Sequence, residues 1–126
     1  TALYDAIGIT LNKVQKHVPK GEKVLVNIYT DGGENGSVKH KARDISALIN
    51  ELKEDYTVTF IGTTHDVEQV SRVLSIDKSN TLAYDGSASG LASSMTTNSA
   101  ARTTYSQNVA LGKDVSKGFY KNVVKK

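Results

Sequence analysis

Segments of helical and of strand-like periodicity alternate along this chain, and that alternation constrains the fold more than any other feature. Leu3, Ile7, Leu11, Val14 and Val18 recur at helical spacing and form one apolar stripe over residues 2–18. Pro19 and Gly21 end that helix. Val24-Leu-Val-Asn-Ile-Tyr29 is apolar on both faces apart from Asn27, the pattern of a strand covered on both sides. Gly32, Gly33, Asn35, Gly36 and Ser37 make a loop. A second helix is predicted over 38–54, with Ala42, Ile45, Leu48, Ile49 and Leu52 on one face. A second strand follows over 58–62, then a helix over 66–74 with Val67, Val70, Val73 and Leu74 inward. A weak third strand covers 81–84. The Ser-, Thr- and Ala-rich stretch 87–105 reads as a polar helix, partly supported by Leu91, Met95, Ala101 and Tyr105.

Strands separated by helices pair in parallel through right-handed crossovers. The expected fold is therefore α/β, with a parallel sheet. Such sheets bind ligands beyond the carboxyl ends of their strands, and two loops fall there: Thr30-Asp31-Gly32-Gly33-Glu34 and Gly62-Thr63-Thr64-His65-Asp66. Three strands make a narrow sheet, and the first helix has no strand ahead of it. Part of the sheet is expected to come from outside this sequence, from an upstream segment or a second chain.

A chain of 126 residues with 38% apolar content suits one domain with an ordinary core. No run approaches eighteen apolar residues, so no membrane-spanning helix and no membrane partner are expected. No signal-peptide pattern is visible. The absence of cysteine excludes disulfides, thiolate metal sites and thiol nucleophiles. A cytoplasmic protein and a disulfide-free virion or assembly protein both fit. The net charge of +3 is concentrated at the end, where Lys113, Lys117, Lys121, Lys125 and Lys126 face only Asp114. Residues 106–126 read as a basic, solvated tail, and without aromatics interleaved on a basic face no nucleic-acid partner is expected.

Two motifs in order carry a family resemblance. Thr1-Ala-Leu-Tyr-Asp-Ala-Ile-Gly8, followed by Val24-Leu-Val-Asn-Ile-Tyr-Thr-Asp-Gly-Gly-Glu-Asn35, resembles the von Willebrand factor A (vWA) domain. Val58-Thr-Phe-Ile-Gly62, the stretch 76–80 and Tyr84-Asp85 resemble the following elements of bacterial and phage members. The resemblance covers residues 1–105. It implies a doubly wound, Rossmann-like sheet lacking its first strands. It also implies part of a metal-ion-dependent adhesion site, with Thr1 and Asp31 matching the family's ligand Thr and Asp. The family's Asp-x-Ser-x-Ser loop after its first strand has no counterpart. Asp85-Gly-Ser-Ala-Ser89 holds a similar string, but after the last strand.

Hydroxyl and carboxylate oxygens are hard ligands suited to Mg²⁺, Mn²⁺ or Ca²⁺. In such a site Thr1 binds directly and Asp31 binds directly or through water. An open position accepts an Asp or Glu from a protein partner, with Gly32, Glu34, Thr63 and His65 around it. Plainer readings stand beside these. Thr1 can be a helix N-cap and Asp31 an Asx-turn residue. Glu34 suits the first turn of a helix, and Asp66 a cap. His65 has no second His at metal spacing. The expected function is a non-enzymatic protein-binding module, and the alternative is a structural subunit of a phage particle or other assembly. An N-terminal Thr nucleophile at Thr1 is a third reading that nothing else in the sequence supports.

Overall fold

The structure, a computed structural model, describes residues 2–30 and 36–121. Helix α1 spans Leu3–His17, strand β1 Val24–Tyr29, helix α2 Ala42–Leu52 and strand β2 Tyr56–Thr63. Helix α3 follows at Thr64–Leu74, then a single 3-10 turn at Lys78–Asn80, strand β3 at Thr81–Tyr84 and helix α4 at Ala88–Ala110. The strands form one parallel sheet in the order β1-β2-β3, with Val24 opposite Tyr56 and Phe60 opposite Thr81. The chain is thus α/β, a three-strand parallel sheet flanked by helices.

Successive side chains of a strand point to opposite faces, and β2 shows what that does here. Val58 and Phe60 face a cluster with Leu3, Ile7 and Leu11 of α1, Ile45 and Ile49 of α2, and Val67, Val70 and Leu74 of α3. Ile61 faces the opposite way, into a second cluster with Ala101 of α4, Phe119 and Tyr120. The intervening positions on that second face are polar. Thr57 donates its hydroxyl to the Val115 carbonyl at 2.9 Å, and Thr59 takes a hydrogen bond from the Asn27 amide. The sheet therefore has one apolar face under α1–α3 and one mixed face under α4, where hydroxyl and amide groups stand among Leu25, Ile61 and Leu82.

Helix α4 adapts to this mixed face. Its buried positions are Ser94, Asn98 and Ala101, one stripe at helical spacing, while Met95 is 53% exposed. Met95, one of the four residues whose spacing partly supported this helix, lies outside that buried stripe. Asn98 accepts from the buried Tyr120 hydroxyl at 2.7 Å, so a polar helix position is the one that pairs with the core. Elsewhere on α4, the hydroxyls of Thr96, Thr103 and Thr104 bond back to carbonyls four residues earlier.

The solvated reading of the tail is corrected as far as Lys121. Val115, Phe119 and Tyr120 are buried. Ser79 and Asn80 clip the segment in place: the Gly118 N–H donates to the Ser79 hydroxyl at 2.7 Å, the Phe119 N–H to the Asn80 side-chain carbonyl at 3.0 Å, and the Asn80 amide to the Ser116 carbonyl at 2.8 Å.

Candidate functional site at the carboxyl edge of the sheet

All three strands open toward the same edge, because all run parallel. β1 ends at Tyr29, one residue before Thr30 and two before Asp31. Thr1, Asp31, Gly32 and Glu34 lie outside the described residues. Thr63 and His65 are described, and the structure places both at the β2–α3 junction.

Thr63 is the N-cap of α3. Its hydroxyl accepts from the Asp66 N–H at 3.5 Å and donates to the Asp66 carboxylate at 3.0 Å. Thr63-Thr-His-Asp66 thus resembles a capping box, in which residue N3 answers the cap. The capping role expected of Asp66 shifts to Thr63, with Asp66 as its buried partner. Gly62 is demanded by crowding: a Cβ there would stand 2.7 Å from the Phe60 ring. His65 is exposed on the first turn of α3.

The loop after β3 lies beside Thr63, since a Cβ on Gly86 would meet the Thr63 methyl at 3.9 Å. Asp85 accepts from the Ser87 N–H at 2.9 Å and from the Ser87 hydroxyl, an Asx turn. The Ser87 hydroxyl in turn accepts from the Gly90 N–H at 2.9 Å and caps α4. These bonds to Ser87, first its hydroxyl and then its N–H, hold the Asp85 carboxyl below its ordinary range. The Asp-Gly-Ser-Ala-Ser string therefore starts a helix, and it does so at the same edge as Thr63.

One residue at this edge escaped the sequence reading. Asp5, in the first turn of α1, is buried and gathers the segment that follows residue 35. Its carboxylate accepts the N–H groups of Val38 at 2.8 Å, Lys39 at 3.0 Å and His40 at 2.7 Å. Its own N–H donates to the Ser37 hydroxyl at 3.0 Å, and the His40 ring nitrogen lies 3.3 Å from the carboxylate. Gly8, one turn on, leaves room for that ring, because a Cβ would come within 2.6 Å of it. These bonds hold residues 38–40 out of helical form, so α2 starts at Ala42 rather than at residue 38 as predicted. The local signal was an acid in a helix first turn, which by itself says only that the helix dipole is satisfied.

The three N–H groups favour the ionised form of Asp5. Val38 contributes most, burial opposes, and the carboxyl is held below its ordinary 3.8. A depressed carboxyl adds stability above its unfolded pKa and loses it as pH falls through the folded one. Asp5→Asn is expected to lower Tm at neutral pH, because its NH₂ would face an N–H donor. The gap should narrow in acid, where the wild-type carboxyl also protonates. Thermal melts of both chains across that range check this, and a gap that stays constant with pH would exclude the charge as its source.

Among the described residues, no three His, Cys, Asp or Glu side chains converge. No helix among them is long and apolar enough to cross a membrane. No family model, curated protein or solved structure matches the chain.

Proposed function

We propose that the chain is a non-enzymatic protein-binding module of the vWA type, which holds a divalent cation at the carboxyl edge and bridges through it to a partner's Asp or Glu. The observation that carries this reading is that β1 ends in parallel beside β2, on the edge that bears Thr63, and that Asp31 follows the end of β1 in sequence by two residues. The donor types suit the cation: the side chains of that edge offer hydroxyl and carboxylate oxygens, which Mg²⁺ prefers to nitrogen or sulfur. Thr63 and one carboxylate oxygen of Asp85 are engaged at helix caps. Asp31 and Thr1, which match the ligand residues of the family that the sequence resembles, are the residues proposed to hold the ion, with Gly32, Glu34 and His65 around the partner. When bound, the cation supplies an open coordination position for a carboxylate. The finer fold follows the same proposal, a doubly wound sheet completed by strands outside this sequence.

Titration of the chain with MgCl₂, followed by amide NMR, tests the reading. Saturable shifts at Thr30 and Thr63 are expected, reversed by chelator and abolished in Asp31→Ala, with the fold intact. Unmoved resonances at millimolar Mg²⁺ would remove the cation from the account. A second reading, a packing subunit of a phage particle or other assembly, is favoured by the open edge of β1. Its assembly would survive chelator.

A further inference from the structure

The amino ends of the parallel strands share the edge opposite Thr63. A cavity of about 360 Å³ opens there, within the size range of small-molecule sites. Tyr56, the first residue of β2, lines it, and α2 and α3 both end beside it. Ser116 and Lys117 of the clipped carboxyl-terminal segment contribute to its wall. The lining divides by chemistry. Ile49, Val58 and Ile76 are buried members of the larger apolar cluster and offer the cavity hydrocarbon. Lys53 and Asp77 bring charges of opposite sign.

Neither charge is fully engaged by the fold. Among the described residues the Lys53 ammonium has no hydrogen bond and no ion pair. One carboxylate oxygen of Asp77 accepts from the Ser79 N–H at 2.9 Å and from the Ser79 hydroxyl. These bonds, first that of the hydroxyl, hold the Asp77 carboxyl below its ordinary 3.8, so it is ionised at neutral pH. Its other oxygen stands 3.8 Å from the mostly exposed Lys117 ammonium, beyond hydrogen-bond distance. The carboxyl ends of α2 and α3 add partial negative charge at the same edge. A simple anion would therefore meet Asp77 and two helix ends, and a simple cation would meet Lys53 and Lys117. A molecule bearing both charges can set each against its opposite.

We propose that this cavity binds a small apolar zwitterion, of which a free α-amino acid with a branched or aromatic side chain is the simplest. Its carboxylate lies on Lys53, its ammonium on Asp77, and its side chain over Ile49, Val58 and Ile76. Asp77 belongs to the turn whose Ser79 and Asn80 clip residues 116–119. A ligand that joins α2 to this turn also steadies the clip. The site needs no divalent cation and lies at the other end of the strands from Thr63, so its failure and that of the cation reading are separate results.

Amide NMR of the full chain titrated with millimolar L-phenylalanine tests the proposal. Saturable shifts are expected around Asn50, Lys53, Asp77 and Lys117 but not at Thr63. The amides of Gly118 and Phe119, which donate to Ser79 and Asn80, should exchange more slowly with ligand bound. 3-Phenylpropionate lacks the ammonium and phenethylamine lacks the carboxylate, and each should bind about tenfold more weakly. Lys53→Met keeps an apolar stem and removes the charge. Because that ammonium holds nothing in the fold, the variant should stay folded. Its affinity for L-phenylalanine should fall about tenfold, whereas that for phenethylamine should not fall. The absence of saturable shifts with both L-phenylalanine and L-leucine would overturn the proposal. Equal binding of the three aromatic probes would do the same, since it would reduce the site to its apolar floor. So would a folded Lys53→Met chain that binds L-phenylalanine as the wild type does.

Discussion

Phe60→Ala is expected to cost about 3–5 kcal/mol, measured as the loss of unfolding free energy in urea. Phe60 is fully buried on the central strand, where its ring meets the layer built by α1, α2 and α3. Removing it takes away the largest fully buried side chain that β2 contributes to that layer. The space cannot close easily, because β2 is pinned on both sides by parallel ladders. Domains of this size are stable by about 5–15 kcal/mol in total, so the variant should sit near its unfolding threshold at room temperature. A loss below about 1.5 kcal/mol would mean that the helical layer collapses onto the sheet without it.

Tyr120→Ala should cost a similar amount, about 3–5 kcal/mol, from the opposite face of the sheet. Tyr120 is almost fully buried, its ring packs edge-on against Phe119 with centroids 4.7 Å apart, and its hydroxyl donates to Asn98. Tyr120→Phe keeps the ring but strands the buried Asn98 acceptor, and should cost about 1–2 kcal/mol. The two variants separate packing from hydrogen bonding at one position. The wild type also carries an alkaline signature. Burial, chiefly, pushes the Tyr120 phenol up to about 12 from its ordinary 10.0. A raised pKa of this kind contributes stability that is fully present below the unfolded value and disappears as pH rises through the folded one. Tyr120→Phe should therefore lose less stability than the wild type as pH climbs from about 10 to 12. An identical alkaline decline in both chains would place its origin elsewhere.

Where local pattern and packing agree, the sequence reading matched the structure. The strands over 24–29 and 81–84 have the predicted bounds, since their apolar runs end at turn residues and pair with β2. The apolar stripes of α1 and α3 face the core as their spacing implies. Three departures trace to more than the local apolar pattern. The start of α2 moved because Asp5, more than thirty residues away, takes the N–H groups of 38–40. The inward face of α4 was obscure because two of its three buried residues are polar, and Asn98 is paired by a hydroxyl twenty-two residues away, that of Tyr120. The packing of Phe119 and Tyr120 was hidden by the lysines around them, whose charge dominates the local composition while two aromatics do the burying. At the candidate site, the edge and the residues Thr63 and His65 were legible from the alternation of elements. The cap geometry that engages Thr63 was not, although Thr63-Thr-His-Asp66 carries the spacing that would have signalled it.

The clip formed by Ser79, Asn80 and residues 116–119 also sets an order of assembly. During synthesis the chain emerges amino end first, so α1, β1, α2, β2, α3 and β3 leave the ribosome before the residues that seal the opposite face. Until Phe119 and Tyr120 arrive, Ile61 and the polar row of Thr57 and Thr59 face water. The nascent protein thus passes through a half-covered sheet, whose uncovered side mixes the hydroxyls of Thr57 and Thr59 with the apolar side chains of Leu25, Ile61 and Leu82. Those hydroxyls break up the apolar surface that waits for Phe119 and Tyr120.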